Sequence, residues 1–318
     1  MNGYRAPRWL PGGQLQTIWP ALFAQRPRPR WQRQRWDTPD GDFVDVDRVD
    51  GAVPDAPLLV LFHGLEGSSR SHYAGALAQA CLDAGWSCAL PHFRGCSGEL
   101  NRAPRAYHSG DWVELDWMLR RLRAAHAGPM YAVGVSLGGN ALLRWAQELG
   151  TQAARTLDAV AAISAPLDLA AGAAAIGRGF NRLVYTRMFL RTLKPKAIAL
   201  ARRHPGLADV ARIAAARDLH DFDDAFTAPV HGFTDALDYW RRASAGPRLG
   251  EIRLQALVLN ARNDPFLPAH ALPRSIAAGE VTLEQPAHGG HVGFAHGAPP
   301  GRIDWMPQRL LAFFSNLG

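Results

Sequence analysis

The chain has 318 residues, 47% of them apolar, enough for one large α/β domain or two small ones. Its formal charge of +7 is concentrated in two acid-free segments: residues 1–36 hold seven arginines and residues 178–203 hold eight Arg or Lys. The composition excludes bulk disorder, and without an apolar run of about 18 residues no membrane-spanning helix is expected.

Taking those fifteen cations from the 35 in the chain leaves 20 basic residues against 28 acidic ones, so the basicity belongs to the two segments. Such segments suit acidic lipid headgroups, nucleic acid, or simply a solvated arginine-rich surface. The opening MNGYRAPRWLPGGQ lacks the apolar core of a signal peptide, and Cys81, Cys88 and Cys96 are odd in number without CxxC spacing. They read as reduced thiols of a cytoplasmic protein, with no disulfide framework and no zinc site.

Residues 1–36, rich in Pro, Arg and Trp, show no clear periodicity. Trp9, Trp19, Trp31 and Trp36 are expected to pack on the core or to form part of an interface. From residue 57 the pattern is regular. PLLVLFHG is a continuous apolar run ending in a glycine turn, as a buried parallel strand should be. SHYAGALAQACLDA has helical spacing, and WSCALPHFRGCSG is a second strand with a glycine-rich exit. DWVELDWMLRRLRAAH is an amphipathic helix, with Trp112, Leu115, Leu119 and Leu122 on one face. MYAVGVSLGG is a third strand and turn, a helix starts near Asn140, and LDAVAAISAP is a fourth strand.

The alternation stops at Pro166. About 80 residues of helical character follow before LQALVLNARNDPF and VTLEQPAHGGH resume it, and MPQRLLAFFSNL closes the chain as a helix. The expected fold is therefore α/β, a mostly parallel sheet with helices on both faces. Its parts are an N-terminal extension (1–50) packing on the core, a core (51–165 and 246–318), and a helical cap or lid inserted at 166–245.

GVSLG, residues 134–138, is a GxSxG sequence between an apolar strand and a helix, where a nucleophile elbow belongs. The sharp turn strains the serine backbone and leaves room only for small neighbours two residues either side. Ser136 is then the candidate nucleophile, and it needs a base held by an acid. In this kind of fold the chain order is Ser, Asp or Glu, His. Asp264 follows a buried strand in LNARNDPF, and His291 comes 27 residues later, after the last strand. Asp168 in SAPLDL is the competing acid.

PAHGGHVGF carries two histidines three apart, but Gly289 and Gly290 make a helical metal pair improbable, and no carboxylate or cysteine cluster stands near. His291, placed to open a final helical segment, is the expected base, with His288 a neighbour. In FHGLEGSS, the turn after His63-Gly64 aims the backbone N–H of Leu65 into the site. With the N–H of Leu137 it would form the oxyanion hole, where losing one donor costs roughly 3 kcal/mol of activation energy. His63 reads as a structural hydrogen-bonder, and Ser68, Ser69, His72, His92 and Ser97 as polar loop residues without chemistry.

The chain resembles the α/β-hydrolases, and more narrowly the YheT/AB hydrolase 4 family, nearly end to end. The resemblance rests on PRWLPGGQLQTIWP, FHGLEGSSRSHY, HFRGCSGELNRAPRAYHSGD, GVSLGGN, FNRLVYTRMFLRTLK, FDDAFTAPVHGFTDALDYW, LNARNDPFLP and GGHVGF. It implies that nucleophile, acid and base fall on Ser136, Asp264 and His291, and that the protein acts as a carboxylesterase on short-chain or lipid-like esters.

The leading expectation is thus a serine carboxylic-ester hydrolase with an acyl-enzyme intermediate and no cofactor. Acyl transfer on the same triad is the nearest alternative. The other is a membrane-peripheral lipid-binding protein, because Phe180, Leu183, Val184, Met188 and Leu193 interleave with Arg182, Arg187 and Arg191. A helix packed over the active site with its arginines outward explains the same pattern. No motif accompanies the charge to suggest nucleic acid.

Overall fold

The run Leu58-Leu59-Val60-Leu61-Phe62 is buried along its whole length, and its period-two alternation feeds two separate cores. Leu58, Val60 and Phe62 join one cluster while Leu59 and Leu61 join the other, so helices must cover both faces of the sheet. The computed structural model, which describes residues 3–276 and 279–317, shows that arrangement. Met1, Asn2, Ala277, Ala278 and Gly318, which the expected bounds include, lie outside the described residues.

The elements run α1 (Gly12–Leu22), β1 (Gln32–Asp37), β2 (Phe43–Val49), β3 (Leu58–Phe62), α2 (His72–Asp83), β4 (Ser87–Pro91), α3 (Trp112–Ala124), β5 (Met130–Val135), α4 (Leu137–Leu149) and β6 (Ala159–Ile163). A helical stretch follows: α5 (Leu169–Ile176), α6 (Gly179–Asn181), α7 (Arg187–Arg203), α8 (Val210–Ala215), α9 (Leu219–Phe222), α10 (Ala228–His231) and α11 (Ala236–Ala243). Then come β7 (Ala256–Leu259), β8 (Val281–Glu284) and α12 (Trp305–Ser315). Among the described residues no strand interrupts the helices between β6 and β7.

The sheet has eight strands in the order β1-β2-β4-β3-β5-β6-β7-β8, parallel from β4 to β8 and antiparallel at β1 and β2. The chain steps from β3 outward to β4, then crosses back to β5 on the other side of β3. That reversal leaves a crevice at the carboxyl ends of β3 and β5, where open α/β sheets bind ligands. Leu77 of α2 and Leu310 and Phe314 of α12 cover one face. Leu115 and Met118 of α3 and Leu142 and Trp145 of α4 cover the other. Each fully buried side chain of this size contributes about 1.5–3 kcal/mol.

Two details differ from the sequence reading. Residues 32–49 are not an extension lying on the core but the antiparallel end of the sheet itself. Their alternation is hidden because the polar positions of β2, Asp45 and Asp47, are buried and paired across the strands with Arg35 at 2.8 Å and Arg33 at 2.7 Å. The third helix also starts three residues early, at Leu137, because Gly138 and Gly139 form its first turn. The tryptophans pack on the core side: Trp36 is buried, Trp31 packs against the core, and the indoles of Trp9 and Trp19 donate to the carbonyls of Gly297 and Pro300. All three cysteines are free thiols.

Candidate active site

Ser136 sits between β5 and α4 with φ 53° and ψ −120°, a region sparsely populated by non-glycine residues. The turn closes because its neighbours lack side chains. A Cβ on Gly134 would lie 2.3 Å from the Gly138 carbonyl oxygen, and one on Gly138 would lie 2.5 Å from that of His63. The backbone N–H of Ser136 donates to Ile163 O at 2.8 Å, tying the elbow to the adjoining strand.

The residues predicted to accompany Ser136 converge on it. His291 Nε2 lies 3.0 Å from Ser136 Oγ, and His291 Nδ1 lies 2.8 Å from Asp264 Oδ2. The Asp264 side chain is fully buried, and its other oxygen accepts the Phe266 N–H at 2.8 Å. This arrangement places a proton on Nδ1, donated to Asp264, and leaves Nε2 to accept the serine proton. The Phe266 ring lies against the imidazole, 4.2 Å between centroids.

The competing candidates lie elsewhere. Asp168 is exposed and caps α5, accepting the Ala171 N–H at 3.0 Å. His288 is exposed, with Nδ1 3.4 Å from the Asn263 amide nitrogen. His291 itself lies in a turn and opens no helix; α12 begins only at Trp305.

Leu65 and Leu137 both line the cavity above Ser136. A Cβ on Gly64 would stand 3.2 Å from that of Ser136, so the loop carrying the Leu65 amide passes directly over the serine. His63 holds this loop from below: it is fully buried, its Nε2 accepts the Phe93 N–H at 3.1 Å, and its Nδ1–H donates to Gly64 O at 2.8 Å. Burial pushes its pKa down to about 3, so it stays neutral in this structural role. Glu66 has φ 57°, and its carboxylate accepts from Tyr107 Oη at 2.9 Å and pairs with Lys196 of α7 at 2.8 Å. The loop after β3 is thereby fastened to the helices above it. Burial raises the Cys96 thiol to about 12, so the sulfur in this corner is not a nucleophile near neutral pH.

Residues missed by the sequence reading come from α1. Thr17 Oγ1 accepts the His291 N–H at 2.9 Å, and Gln16 Oε1 accepts both the Gly289 N–H at 2.8 Å and the Asn263 amide at 2.9 Å. Asn263 Oδ1 in turn accepts the Gly290 N–H at 3.1 Å. The approach is backbone to backbone: a Cβ on Gly293 would lie 1.8 Å from Gln16 O, and one on Gly13 would lie 1.9 Å from Asn263 O. The GGQLQT stretch therefore grips both the acid loop and the histidine loop. Two glycines followed by Gln14, Gln16 and Thr17 were the available signal, but nothing local connects them to residue 291.

A mostly apolar cavity of about 150 Å³ opens over Ser136 and His291. Its far wall is built by the helices between β6 and β7, through Leu169, Ile176, Phe189, Leu193, Phe226 and Trp240. Such a lining accepts an acyl chain or another apolar body. The arrangement can deliver an activated hydroxyl to an electrophilic carbonyl.

The model of the α/β-hydrolase fold matches residues 57–298. The chain belongs to the α/β-hydrolase family. It is 40% identical to the Escherichia coli (strain K12) protein named "Putative esterase YheT", over 93% of this chain and 88% of that one. It is 27% identical to the mouse protein "Phospholipase ABHD3", over 96% of this chain and 76% of that one. Among solved structures, the Pyrococcus furiosus esterase Pf2001 aligns with a TM-score of 0.57 at 12% identity, covering 93% of this chain and 98% of that one, a likeness of fold. This α/β-hydrolase thus combines the family sheet with a helical segment between β6 and β7. Among the described residues no helix is long and apolar enough to cross a membrane.

Proposed function

We propose that the protein is a serine carboxylic-ester hydrolase whose triad is Ser136, His291 and Asp264. The observation that carries this reading is the unbroken chain of hydrogen bonds from Ser136 Oγ through the imidazole to Asp264, lying at the floor of an apolar cavity. Similarity to proteins named as an esterase and a phospholipase supports ester chemistry.

Ser136 Oγ attacks the ester carbonyl carbon as its proton passes to His291 Nε2. The charge on the carbonyl oxygen is met by the backbone N–H groups of Leu65 and Leu137, and Asp264 stabilises the imidazolium through Nδ1–H. Collapse breaks the bond to the alcohol oxygen, which leaves with the proton from Nε2. A water then gives its proton to Nε2 as it attacks the acyl carbon; collapse breaks the bond to Ser136 Oγ, which takes the proton back from Nε2, and the acid leaves. The helical segment 166–245 acts as a cap that shapes the acyl pocket, so short- to medium-chain or lipid-like esters are the expected substrates.

The test is labelling by a fluorophosphonate probe together with turnover of p-nitrophenyl esters from acetate to palmitate. Labelling and turnover should vanish in Ser136→Ala, fall steeply in His291→Ala, and persist in His288→Ala. A wild type that neither labels nor turns over any ester rules the proposal out. Product analysis with an added acceptor alcohol separates hydrolysis from acyl transfer on the same triad.

A further inference from the structure

The chain from Gly179 to Leu193 has two apolar faces, and only one of them is covered. Inward, Leu190 and Leu193 are buried in the core of the helical insertion, and Phe189 faces the cavity. Outward, Phe180, Leu183 and Met188 are 50%, 58% and 52% exposed. A helix that merely roofs the cavity needs apolar residues below and polar ones above, so these three are unexplained by that role.

Arginines stand among them. Arg182, Arg187 and Arg191 line a shallow surface groove with Leu183 and Lys194. The ion pairs of the insertion run from Lys196, Arg212, Arg217, Arg241 and Arg242, and among the described residues leave these three arginines without a carboxylate partner. Helix α1 lies alongside: Gln14 bonds to both Asn181 and Tyr185 at 2.7 Å, and the neighbouring Leu15 is 47% exposed.

We propose that this face docks on an anionic lipid bilayer. The exposed apolar side chains enter the boundary between headgroups and acyl chains, and the arginines meet the anionic headgroups. Interleaved apolar and basic residues on a helical surface fit that environment on both counts. A nucleic acid would meet the arginines and leave Phe180, Leu183 and Met188 in water. A second copy of the chain, seated symmetrically on the same face, would set unpaired arginines against one another. Because Ile176 and Phe189, which line the cavity, bracket the outward residues in sequence, docking brings the cavity wall to the lipid.

The experiment is co-sedimentation of the full chain with vesicles of phosphatidylcholine alone or mixed with phosphatidylglycerol. Two triple variants accompany it: Phe180→Ser with Leu183→Ser and Met188→Ser, and Arg182→Gln with Arg187→Gln and Arg191→Gln. Their thermal melts check folding. The wild type should pellet with the anionic vesicles, remain in solution with neutral ones, and release at high salt. The arginine variant should partition on the order of a hundredfold more weakly, and the serine variant should stay in the supernatant. Wild type left in solution with anionic vesicles overturns the proposal, as do folded variants that both pellet like wild type. So does a vesicle-free mass that doubles for wild type and not for the variants, which would make the face a self-interface. Sedimentation reads binding alone, so this outcome is independent of whether the triad turns over esters.

Discussion

The backbone N–H of His291 donates to the hydroxyl of Thr17 at 2.9 Å, a bond between residues 274 positions apart. It fixes the height of the imidazole over Ser136 from outside the sheet. Val292 and Phe294, at φ 58° and 41°, show that the loop is held in a conformation it would not adopt unaided. Gln16 holds the preceding turn through Gly289, so α1 acts as the loop's clamp.

Thr17→Val removes the acceptor while keeping the side-chain shape. A displaced base costs rate more than affinity, so kcat on a short-chain ester should fall on the order of tenfold to a hundredfold with KM little changed. Thr17→Ser should restore most of the loss. Wild-type kcat in the valine variant would show that the clamp does not position the base.

Asp264→Asn tests the tautomer. The Phe266 N–H requires an oxygen acceptor, so the new amide presents its nitrogen to His291 Nδ1. The proton then moves to Nε2, which faces Ser136 Oγ as a donor and can no longer take its proton. Turnover should drop by about 10⁴, the size such a swap has in a serine protease triad. Thermal stability should change far less than it would for a deleted core side chain. Retained activity would assign the acid elsewhere.

Gly134→Ala tests the elbow. The added methyl would lie 2.3 Å from Gly138 O, a backbone atom that cannot rotate away. Either the turn opens or the strand shifts, and overpacking of this kind costs about 1–3 kcal/mol. Probe labelling of Ser136 should be lost at a temperature where the fold persists by circular dichroism. Full labelling would mean that the turn has slack.

Much of this was legible in the sequence where the signal is local. Ser136 announces itself because a strand, a glycine-flanked turn and a helix adjoin in sequence, and Asp264 follows from its place after a buried strand. The preference for Asp264 over Asp168 rests on chain order, and the structure gives Asp168 a capping task instead. What stayed hidden depends on distant partners. Gln16 and Thr17 look like any helix residues until the chain has closed on itself. The strands β1 and β2 escaped notice because buried Asp45 and Asp47 are neutralised by arginines on the neighbouring strand, which breaks the usual apolar alternation. In the 180–193 segment, periodicity separates apolar from basic positions but does not say which apolar side chains end in solvent.

Buried neutral histidines should make the protein sensitive to acid. Burial pushes His63 and His108 down to about 3, and His72 down to about 4, from an unfolded value near 6.5. Folded-state values that are depressed mean that the unfolded chain binds more protons between these limits. The stability contributed by neutral burial is therefore complete above pH 6.5 and is lost as pH falls toward 3. A fully buried group such as His63 contributes a slope of about 1.4 kcal/mol per pH unit inside that window. Buried carboxyls oppose this: burial raises Asp223 to about 6 and Glu114 to about 7, and raises Asp111 too, so their contributions are present below the ordinary carboxylate range and lost as pH rises through these raised values. Burial depresses His231 as well, so four strongly depressed histidines stand against three raised carboxyls, and the melting temperature should decline from pH 7 to pH 4.5. In His108→Phe the decline should be shallower, because the ring is kept and the protonation site is gone. A melting temperature that is flat over this range would mean that the histidines reach solvent or find acceptors when they charge.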